Sequence, residues 1–253
     1  MNQKEILFDY ILHLADNSMI IGQRNAEWCG HGPVLEQDIA LTNISLDLIG
    51  EARSLYQYAA EIKGGGATED SLPFLRDVLQ YRNLLLVEQP NTDWAYTIVR
   101  QFFFDVYHYY LNKMLIEHSN DTRLKEIASK TIKEATYHLK WSSEWMIRLG
   151  DGTDISKSKM QTAVEELWDF TGELFLESAT EQAAAQAGFG ISPSSIESYW
   201  REKVAEILEE ATLTIPEKGF AQKGGKTGIH SEHLGYILAE MQFMQRAYPN
   251  LEW

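Results

Sequence analysis

The chain has 253 residues and a formal charge of −15, with 44% apolar and 23% charged residues. This is the composition of a soluble globular protein, and the negative charge excludes direct binding to nucleic acids or anionic membranes, which need a positive surface. With one cysteine, Cys29, the sequence allows no intrachain disulfide and no thiol-cluster metal site. No basic segment followed by an apolar run opens the sequence, and no apolar run reaches about 18 residues, so we expect a cytoplasmic protein without a membrane span.

Apolar residues recur at helical spacing along nearly the whole chain, and they predict an all-α protein. In chain order the predicted helices cover about 5–25, 34–62, 73–82, 93–118, 122–149, 157–176, 177–187, 194–212 and 231–247. The KGGG run ends the helix at 34–62, Asn91 or Thr92 caps the helix at 93–118, and Asp121 caps the helix after it. Two long hairpins within about 4–149 predict a four-helix bundle, and the helices of about 150–253 pack on it to give a single domain over 1–253.

The segment TIKEATYHLKW, residues 131–141, has the form of a metal-binding motif whose histidine is displaced by one position. In carboxylate-bridged di-iron bundles, Glu-x-x-His on each of two helices directs both side chains toward one pair of metal ions. Here Tyr137 stands three residues after Glu134, and His138 follows one residue later. Residues four apart still share a helix face, so this half of the motif does not exclude metal binding by itself.

The matching segment of the second long helix, GEARS, lacks the ligands. A motif read from Glu51 has Ser54 at the histidine position, and a motif read one residue earlier pairs Gly50 with Arg53. A guanidinium stays protonated and has no lone pair for a metal. An arginine that faces the core would instead neutralise a carboxylate there.

When each hairpin is folded at its loop, Asp105 lies opposite Glu134, and Asp16 or Asp9 lies opposite the GEARS segment. The candidates for a vestigial metal site are Asp16, Gly50, Glu51, Arg53, Ser54, Asp105, Glu134, Tyr137 and His138. We expect no catalytic residue and no bound metal, and we expect these side chains to form a buried ion-pair network or, individually, to be solvated. The first alternative is a self-sufficient di-iron oxidase that uses Glu134, His138 and Asp105.

Two further segments are weaker candidates. HSEH places His230 and His233 near a helix start, where exposed or capping histidines are commoner than metal ligands. KGGKTG, residues 223–228, lacks the glycine that a Walker loop needs at position 220. Its lysines still allow contact with a CoA phosphate, so the second alternative is an acyl-CoA binding protein without catalytic activity.

The helix at about 93–118 is aromatic on nearly every side, whereas a bundle helix needs only one apolar stripe. Either residues 150–253 cover the excess, or the helix faces another subunit, because aromatic residues concentrate in interface cores. The interface candidates are Trp94, Phe102, Phe103, Phe104, Tyr107 and Tyr110.

Several segments together resemble one known family. They are EWCGHGPVLEQDIALTNISLDLIGEARSLYQYAAE, NLLLVEQPN, IKEATYHLKWS, GDGTD and GGKTGIHSEHLGYILAEMQFMQRAYP. They occur in order, and the resemblance covers about residues 8–253 without large gaps. On these segments the chain resembles the C subunits of bacterial phenylacetyl-CoA epoxidases, the PaaC family.

The resemblance implies a ferritin-like bundle that serves as a non-catalytic structural subunit in aerobic phenylacetate degradation. In this family the A subunit carries the di-iron centre and epoxidises the aromatic ring of phenylacetyl-CoA with O₂. A reductase subunit with flavin and iron–sulfur cofactors supplies electrons from NADPH. The resemblance therefore implies no cofactor in this chain, and its partners are the A subunit, the small B subunit and further copies of the chain itself.

Overall fold

The computed structural model describes residues 2–217, 221–249 and 251. All regular structure in these residues is helical, and they contain no β-strand, which confirms the predicted all-α class and is consistent with a ferritin-like helical bundle. In the same residues, no helix combines the length and the apolar character that crossing a bilayer requires. The α-helices of this described part are α1 Gln3–Ala26, α2 Leu35–Lys63, α3 Ser71–Phe74, α4 Trp94–His118, α5 Thr122–Gly150, α6 Asp154–Trp168, α7 Ala179–Gln186, α8 Glu197–Glu210, α9 Glu232–Met241 and α10 Phe243–Ala247.

The chain forms two compact units. One contains Met1–Glu88 together with Gly224–Trp253, and the other contains Gln89–Lys223. Each unit contains one of the two long hairpins predicted from the sequence: α1 with α2 in the first unit, and α4 with α5 in the second. The single domain over 1–253 stays a prediction.

The first hairpin is antiparallel, and its contacts show the register. Ser45 Oγ donates a hydrogen bond of 2.6 Å to the carbonyl oxygen of Gly22, and Ser18 Oγ donates one of 2.8 Å to Glu51 Oε2. A Cβ atom added at Gly22 would lie 3.0 Å from Ile49 Cγ1, so this glycine allows α1 and α2 to pack closely. The hairpin therefore places polar side chains of the two helices directly against each other.

The second unit encloses a cluster of large aromatic rings. The Trp200 ring on α8 lies 5.6 Å from that of Phe103 on α4, 5.8 Å from Trp168 and 5.4 Å from Phe175, measured between ring centroids. Trp200 Nε1 also donates a hydrogen bond of 2.9 Å to the carbonyl oxygen of Phe103. Residues beyond 150 thus cover part of the aromatic surface of α4, which was one of the two expectations for it.

The predicted helix at 73–82 is replaced by the short helix α3 and a 3₁₀ turn over Val78–Gln80. Side chains donate hydrogen bonds to carbonyl oxygens that would accept backbone hydrogen bonds in a longer helix. Arg76 Nε donates to the carbonyl oxygen of Leu72 at 2.6 Å, and both Tyr81 Oη and Gln242 Nε2 donate to that of Pro73. Side chains, including that of the distant Gln242, thus occupy these acceptors, and the helix ends after four residues.

The predicted cap of α4 is also wrong. Asp93, rather than Asn91 or Thr92, caps the helix, and its Oδ1 accepts a hydrogen bond of 3.0 Å from the Tyr96 N–H. Asn91 Oδ1 instead accepts a hydrogen bond from the buried side chain of Arg100. The cap predicted for α5 is confirmed, because Asp121 Oδ1 accepts from the Leu124 N–H at 2.8 Å.

Three later helices are shorter than predicted. The helix expected at 157–176 begins at Asp154, ends at Trp168 and is followed by a 3₁₀ turn over Gly172–Phe175. The helix expected at 194–212 begins with a 3₁₀ turn over Pro193–Ser195 before α8. The helix expected at 231–247 is divided at Gln242 into α9 and α10.

Candidate functional site

Asp16, on α1, is fully buried and has hydrogen-bond partners at both oxygens. Its Oδ1 accepts a hydrogen bond of 2.6 Å from Tyr56 Oη and a second one from Arg76 Nη2. Its Oδ2 accepts from Arg76 Nη1 at 3.0 Å and from the backbone N–H of Arg82 at 2.9 Å. The carboxylate is thus neutralised by a bidentate guanidinium, and its lone pairs are directed to donors within the chain.

The electrostatics of this cluster favour one protonation state. Burial by itself lowers the pKa of Arg76, but the adjacent Asp16 carboxylate outweighs burial, and the pKa of the guanidinium is raised. Burial, and next the charge of Asp16, raise the pKa of Tyr56 well above its usual range. The Arg76 guanidinium also lies 4.4 Å from the centroid of the Tyr81 ring. Arg76 therefore stays charged beside Asp16, and Tyr56 stays neutral.

Arg53, the arginine of the GEARS segment, does not contribute to the Asp16 cluster. Its side chain is 67% exposed and pairs with Glu69 at an Nη2–Oε1 distance of 3.3 Å. Arg53 thus follows the second of the two expectations, that of a solvated helix residue. Sequence reasoning missed Arg76 as the buried cation, and the one signal for it was a single arginine within the apolar segment LPFLRDVL.

The other candidate residues of α2 make contacts within the first hairpin or none. Glu51 is buried and accepts the hydrogen bond from Ser18. Ser54 Oγ donates to the carbonyl oxygen of Gly50 at 3.0 Å, a local bond within α2. A Cβ atom added at Gly50 would meet nothing within 4 Å. Of these residues only Glu51 offers a carboxylate to the interior of the unit.

In the second hairpin, Asp105 and His138 lie close enough to interact electrostatically. Both side chains are buried, and Gln101 Nε2 donates a hydrogen bond of 2.6 Å to Asp105 Oδ1. Burial raises the pKa of Asp105 to about 6, although the nearby His138 opposes the increase. Glu134 is only partly buried, and Tyr137 is exposed. The displaced motif therefore directs His138 inward but not the tyrosine at the expected ligand position.

Replacing Asp105 with asparagine should stabilise the protein at pH 7. Because the pKa of Asp105 in the folded protein lies above the ordinary value of 3.8, the folded state binds this proton more tightly than the unfolded chain does. This contribution to stability is present at low pH and is lost as the pH rises through about 6, a loss on the order of 2–3 kcal/mol. Asparagine keeps the acceptor for Gln101 without the buried charge, and urea unfolding between pH 4 and pH 8 measures the difference.

The matched control is Asp151→Asn, which changes an exposed aspartate after α5. We expect the free energy of unfolding of this control to follow the wild-type pH dependence. The prediction is contradicted if Asp105→Asn is less stable than the wild-type protein at pH 7.

The described residues do not fit a di-iron centre. Such a centre takes four carboxylates and two histidines from four helices. Asp16 already has Arg76 and Tyr56 as partners, and the GEARS segment supplies no histidine. Within the described part of the chain, no three side chains of the types His, Cys, Asp and Glu are arranged to hold a metal ion.

His230 of the HSEH segment makes buried polar contacts, which sequence reasoning missed. His230 Nε2 lies 3.0 Å from the carbonyl oxygen of Tyr81, and His230 Nδ1 lies 3.3 Å from Glu88 Oε2, with both side chains inaccessible to solvent. The backbone N–H of Ser231 donates to Glu88 Oε1 at 2.8 Å. His230 is thus a buried side chain that fastens the segment before α9 to the rest of the first unit, rather than an exposed or capping residue.

The KGGKTG segment is a packing turn. A Cβ atom added at Gly225 would lie 2.2 Å from the carbonyl oxygen of Asn83, so only glycine fits there. Lys226 is 7% exposed and is not available to a phosphate at the surface. This geometry gives no support to contact with CoA through Lys226.

The interface candidates on α4 divide into two groups. Four of them, Phe102, Phe103, Phe104 and Tyr107, are buried within the chain. Trp94 is partly buried and packs edge-on against Trp141 and Trp145, at 6.2 Å between ring centroids in each case. Tyr110 is partly buried and stacks on the exposed ring of Tyr199 at 5.3 Å. Only Trp94 and Tyr110 of the six reach the surface, and for these two the interface stays a prediction.

The chain matches known proteins over its full length. Residues 1–253 match the family model described as phenylacetic acid catabolic protein. The chain belongs to this family. Among its curated relatives, the C subunit of the 1,2-phenylacetyl-CoA epoxidase of Escherichia coli (strain K12) is 49% identical over 253 residues, which cover 100% of both chains. Membership of the phenylacetic acid catabolic protein family confirms the resemblance noted in the sequence and supports a role in phenylacetate catabolism.

Proposed function

We propose that this chain is a non-catalytic structural subunit of a phenylacetyl-CoA epoxidase, which binds and supports the catalytic A subunit in aerobic phenylacetate degradation. The full-length relative, an epoxidase C subunit by name, supports the choice of complex. The observation that carries the non-catalytic role is the saturation of Asp16 by Arg76, Tyr56 and a backbone N–H. A carboxylate in this state cannot ligate a metal unless the ion pair is broken, which costs several kcal/mol.

In this proposal the reaction takes place elsewhere in the complex. The A subunit holds the di-iron centre, the reductase holds flavin and an iron–sulfur cluster, and this cytoplasmic chain holds no cofactor. Its partners are the A subunit, the small B subunit and further copies of itself. Catalytic sites need neighbouring residues that hold them to within about 0.5 Å, and a unit braced by buried ion pairs such as Asp16–Arg76 is suited to that task.

The two alternatives have weaker support. A self-sufficient di-iron oxidase would rely on Asp105, His138 and Glu134, but Glu134 is only partly buried, and the first hairpin supplies no histidine motif. An acyl-CoA binding protein would use the lysines of the KGGKTG segment, but of these two Lys226 is buried and only Lys223 is exposed. The structural subunit is therefore the function we favour.

Iron analysis of the chain expressed alone, and of the chain co-expressed with its A subunit, tests the proposal. We expect no stoichiometric iron in the chain alone, and epoxidase activity only when A and the reductase are present. A di-iron centre in this chain would instead give about two equivalents of iron per chain. If those equivalents disappear in Asp105→Ala or His138→Ala, the chain is an oxidase and the proposal is rejected.

A further inference from the structure

The outer face of α2 carries a row of residues with the spacing through which two helices pack along their length. The row advances by three and four residues in alternation, which keeps its members on one side of the helix over several turns. Five of its six members are exposed, and the glycine is partly exposed. The members of this row, called the α2 row below, are Glu36, Ile39, Asn43, Leu46, Gly50 and Arg53. The row is about 25 Å long.

The α2 row presents large apolar side chains to solvent. Leu46 is 62% exposed and Ile39 is 52% exposed, and beside the start of the row Leu35 is 72% exposed. The opposite face of the helix is apolar as well, but it is buried through residues such as Leu41 and Leu48. One apolar stripe is enough to pack a helix onto its own unit. The second stripe is therefore surface that an interaction can cover.

The two charges of the α2 row lie at its opposite ends, Glu36 in the first turn of the helix and Arg53 beyond the glycine. A second copy of α2 laid antiparallel on the row brings Glu36 of each copy to Arg53 of the other, in a two-fold symmetric contact. A parallel pairing would place like charges together, which is unfavourable. Arg53 also pairs with Glu69 at 3.3 Å, but such a solvent-accessible pair contributes at most about 1 kcal/mol and leaves the guanidinium able to reach a second copy.

The same register matches a large side chain with a glycine. With Glu36 opposite Arg53, Ile39 faces Gly50 of the second copy, because both pairs are centred on the middle of the row. A Cβ atom added at Gly50 would meet nothing within 4 Å, so packing within the described chain does not require this glycine, although glycine weakens the interior of a helix. A bare backbone allows a neighbouring helix to approach closely. The antiparallel pairing therefore gives Gly50 a structural role.

We propose that the α2 row is the surface through which two copies of this chain form a two-fold symmetric, antiparallel dimer. Association between copies rests on the proposed function, and the surface and its register are the new elements. The contact is electrically balanced, with two glutamates and two arginines, although each copy carries a charge of −15. At physiological ionic strength, exposed charges more than about 8 Å apart are largely screened. The contact itself therefore decides whether the copies associate.

Charge variants of the full chain test the register, with association measured by analytical ultracentrifugation at about 0.15 M salt. Glu36→Arg places a second cation opposite Arg53, and we expect it to weaken self-association by about tenfold or more, although it lowers the net negative charge of each copy. The double variant Glu36→Arg with Arg53→Glu exchanges the two charges, so opposite charges meet again, and its dimer should be as stable as that of the wild type. Mixed with the wild-type chain, the double variant should form homodimers in preference to mixed dimers, as native mass spectrometry would show.

Leu46→Asp tests the apolar part of the row. It places a charge near the middle of the contact, and we expect it to weaken self-association by about thirtyfold or more. Because Leu46 is exposed, the Tm of the variant should change little, which separates lost association from lost folding. The matched control is Glu61→Arg, which makes the same change of charge as Glu36→Arg at an exposed position of α2 beyond the row. We expect this control to associate like the wild type.

The assignment is overturned if Glu36→Arg and Leu46→Asp associate like the wild type, or if the double charge exchange does not restore the dimer. Titration of the same variants with the A subunit distinguishes this failure from a failure of the proposed function. If the wild-type chain alone is a monomer and the variants lose binding to A, the α2 row is the surface for A, so the assignment is overturned and the structural role stands. If the wild-type chain binds neither A nor itself, the proposed function and the assignment both fail.

Discussion

Arg76→Leu is expected to lower the free energy of unfolding by about 3–5 kcal/mol, because it leaves the Asp16 carboxylate buried without its counter-charge. Asp16 is fully buried, and the guanidinium contacts both of its oxygens. The remaining donors, Tyr56 Oη and the Arg82 N–H, are neutral and do not replace a positive charge. Urea denaturation followed by circular dichroism measures the effect.

Two further variants show whether the loss comes from the unpaired charge. Removing both charges, in Asp16→Asn with Arg76→Leu, should restore part of the stability that Arg76→Leu loses, because no uncompensated ion is then buried. Arg53→Ala removes the exposed pair with Glu69 and should cost no more than about 1 kcal/mol. An Arg76→Leu protein that is as stable as Arg53→Ala would show that the buried ion pair contributes little.

Trp200→Ala is the second substitution with a large expected effect, a loss of about 3–5 kcal/mol of stability. The Trp200 side chain is fully buried and contacts the rings of Phe103, Trp168 and Phe175, so alanine leaves a cavity that rigid aromatic neighbours cannot fill. Thermal and urea unfolding of the variant should both show the loss.

Trp200→Phe separates packing from hydrogen bonding. It keeps most of the ring but removes the Nε1–H donor to the Phe103 carbonyl, so we expect a smaller loss, with about 1 kcal/mol from the hydrogen bond. Glu202→Ala, at an exposed position of the same helix, should stay within about 0.5 kcal/mol of the wild type. If Trp200→Ala unfolds at the same urea concentration as Glu202→Ala, the cluster does not stabilise the second unit.

The sequence predicted the long hairpins well because the signals for them are local. Amphipathic spacing extends over many turns of α1, α2, α4 and α5, and three successive glycines follow α2. Gly64, Gly65 and Gly66 all adopt positive φ, a conformation that glycine reaches without steric cost. The helix at 73–82 failed because its carbonyl groups bond to distant side chains such as that of Gln242, which no local pattern reports.

The candidate site was predictable only in part, for the same reason. Folding the first hairpin at its loop brought attention to Asp16, but its partner Arg76 lies 60 positions further along the chain. Pairing over that separation depends on tertiary packing, and one sequence does not show it. His230 and Glu88 are another such pair, separated by more than half of the chain. On α4, by contrast, the excess of aromatic residues did indicate that other residues had to cover the helix.

The guanidinium at Asp16 also affects how this protein responds to its surroundings. A metalloprotein gains stability by mass action from dissolved metal, and it loses that stability when the metal becomes scarce. The counter-ion of Asp16 is instead the guanidinium of Arg76 in the same chain, so its presence does not depend on the concentration of any dissolved ion. The pairing of this carboxylate is therefore independent of the iron supply.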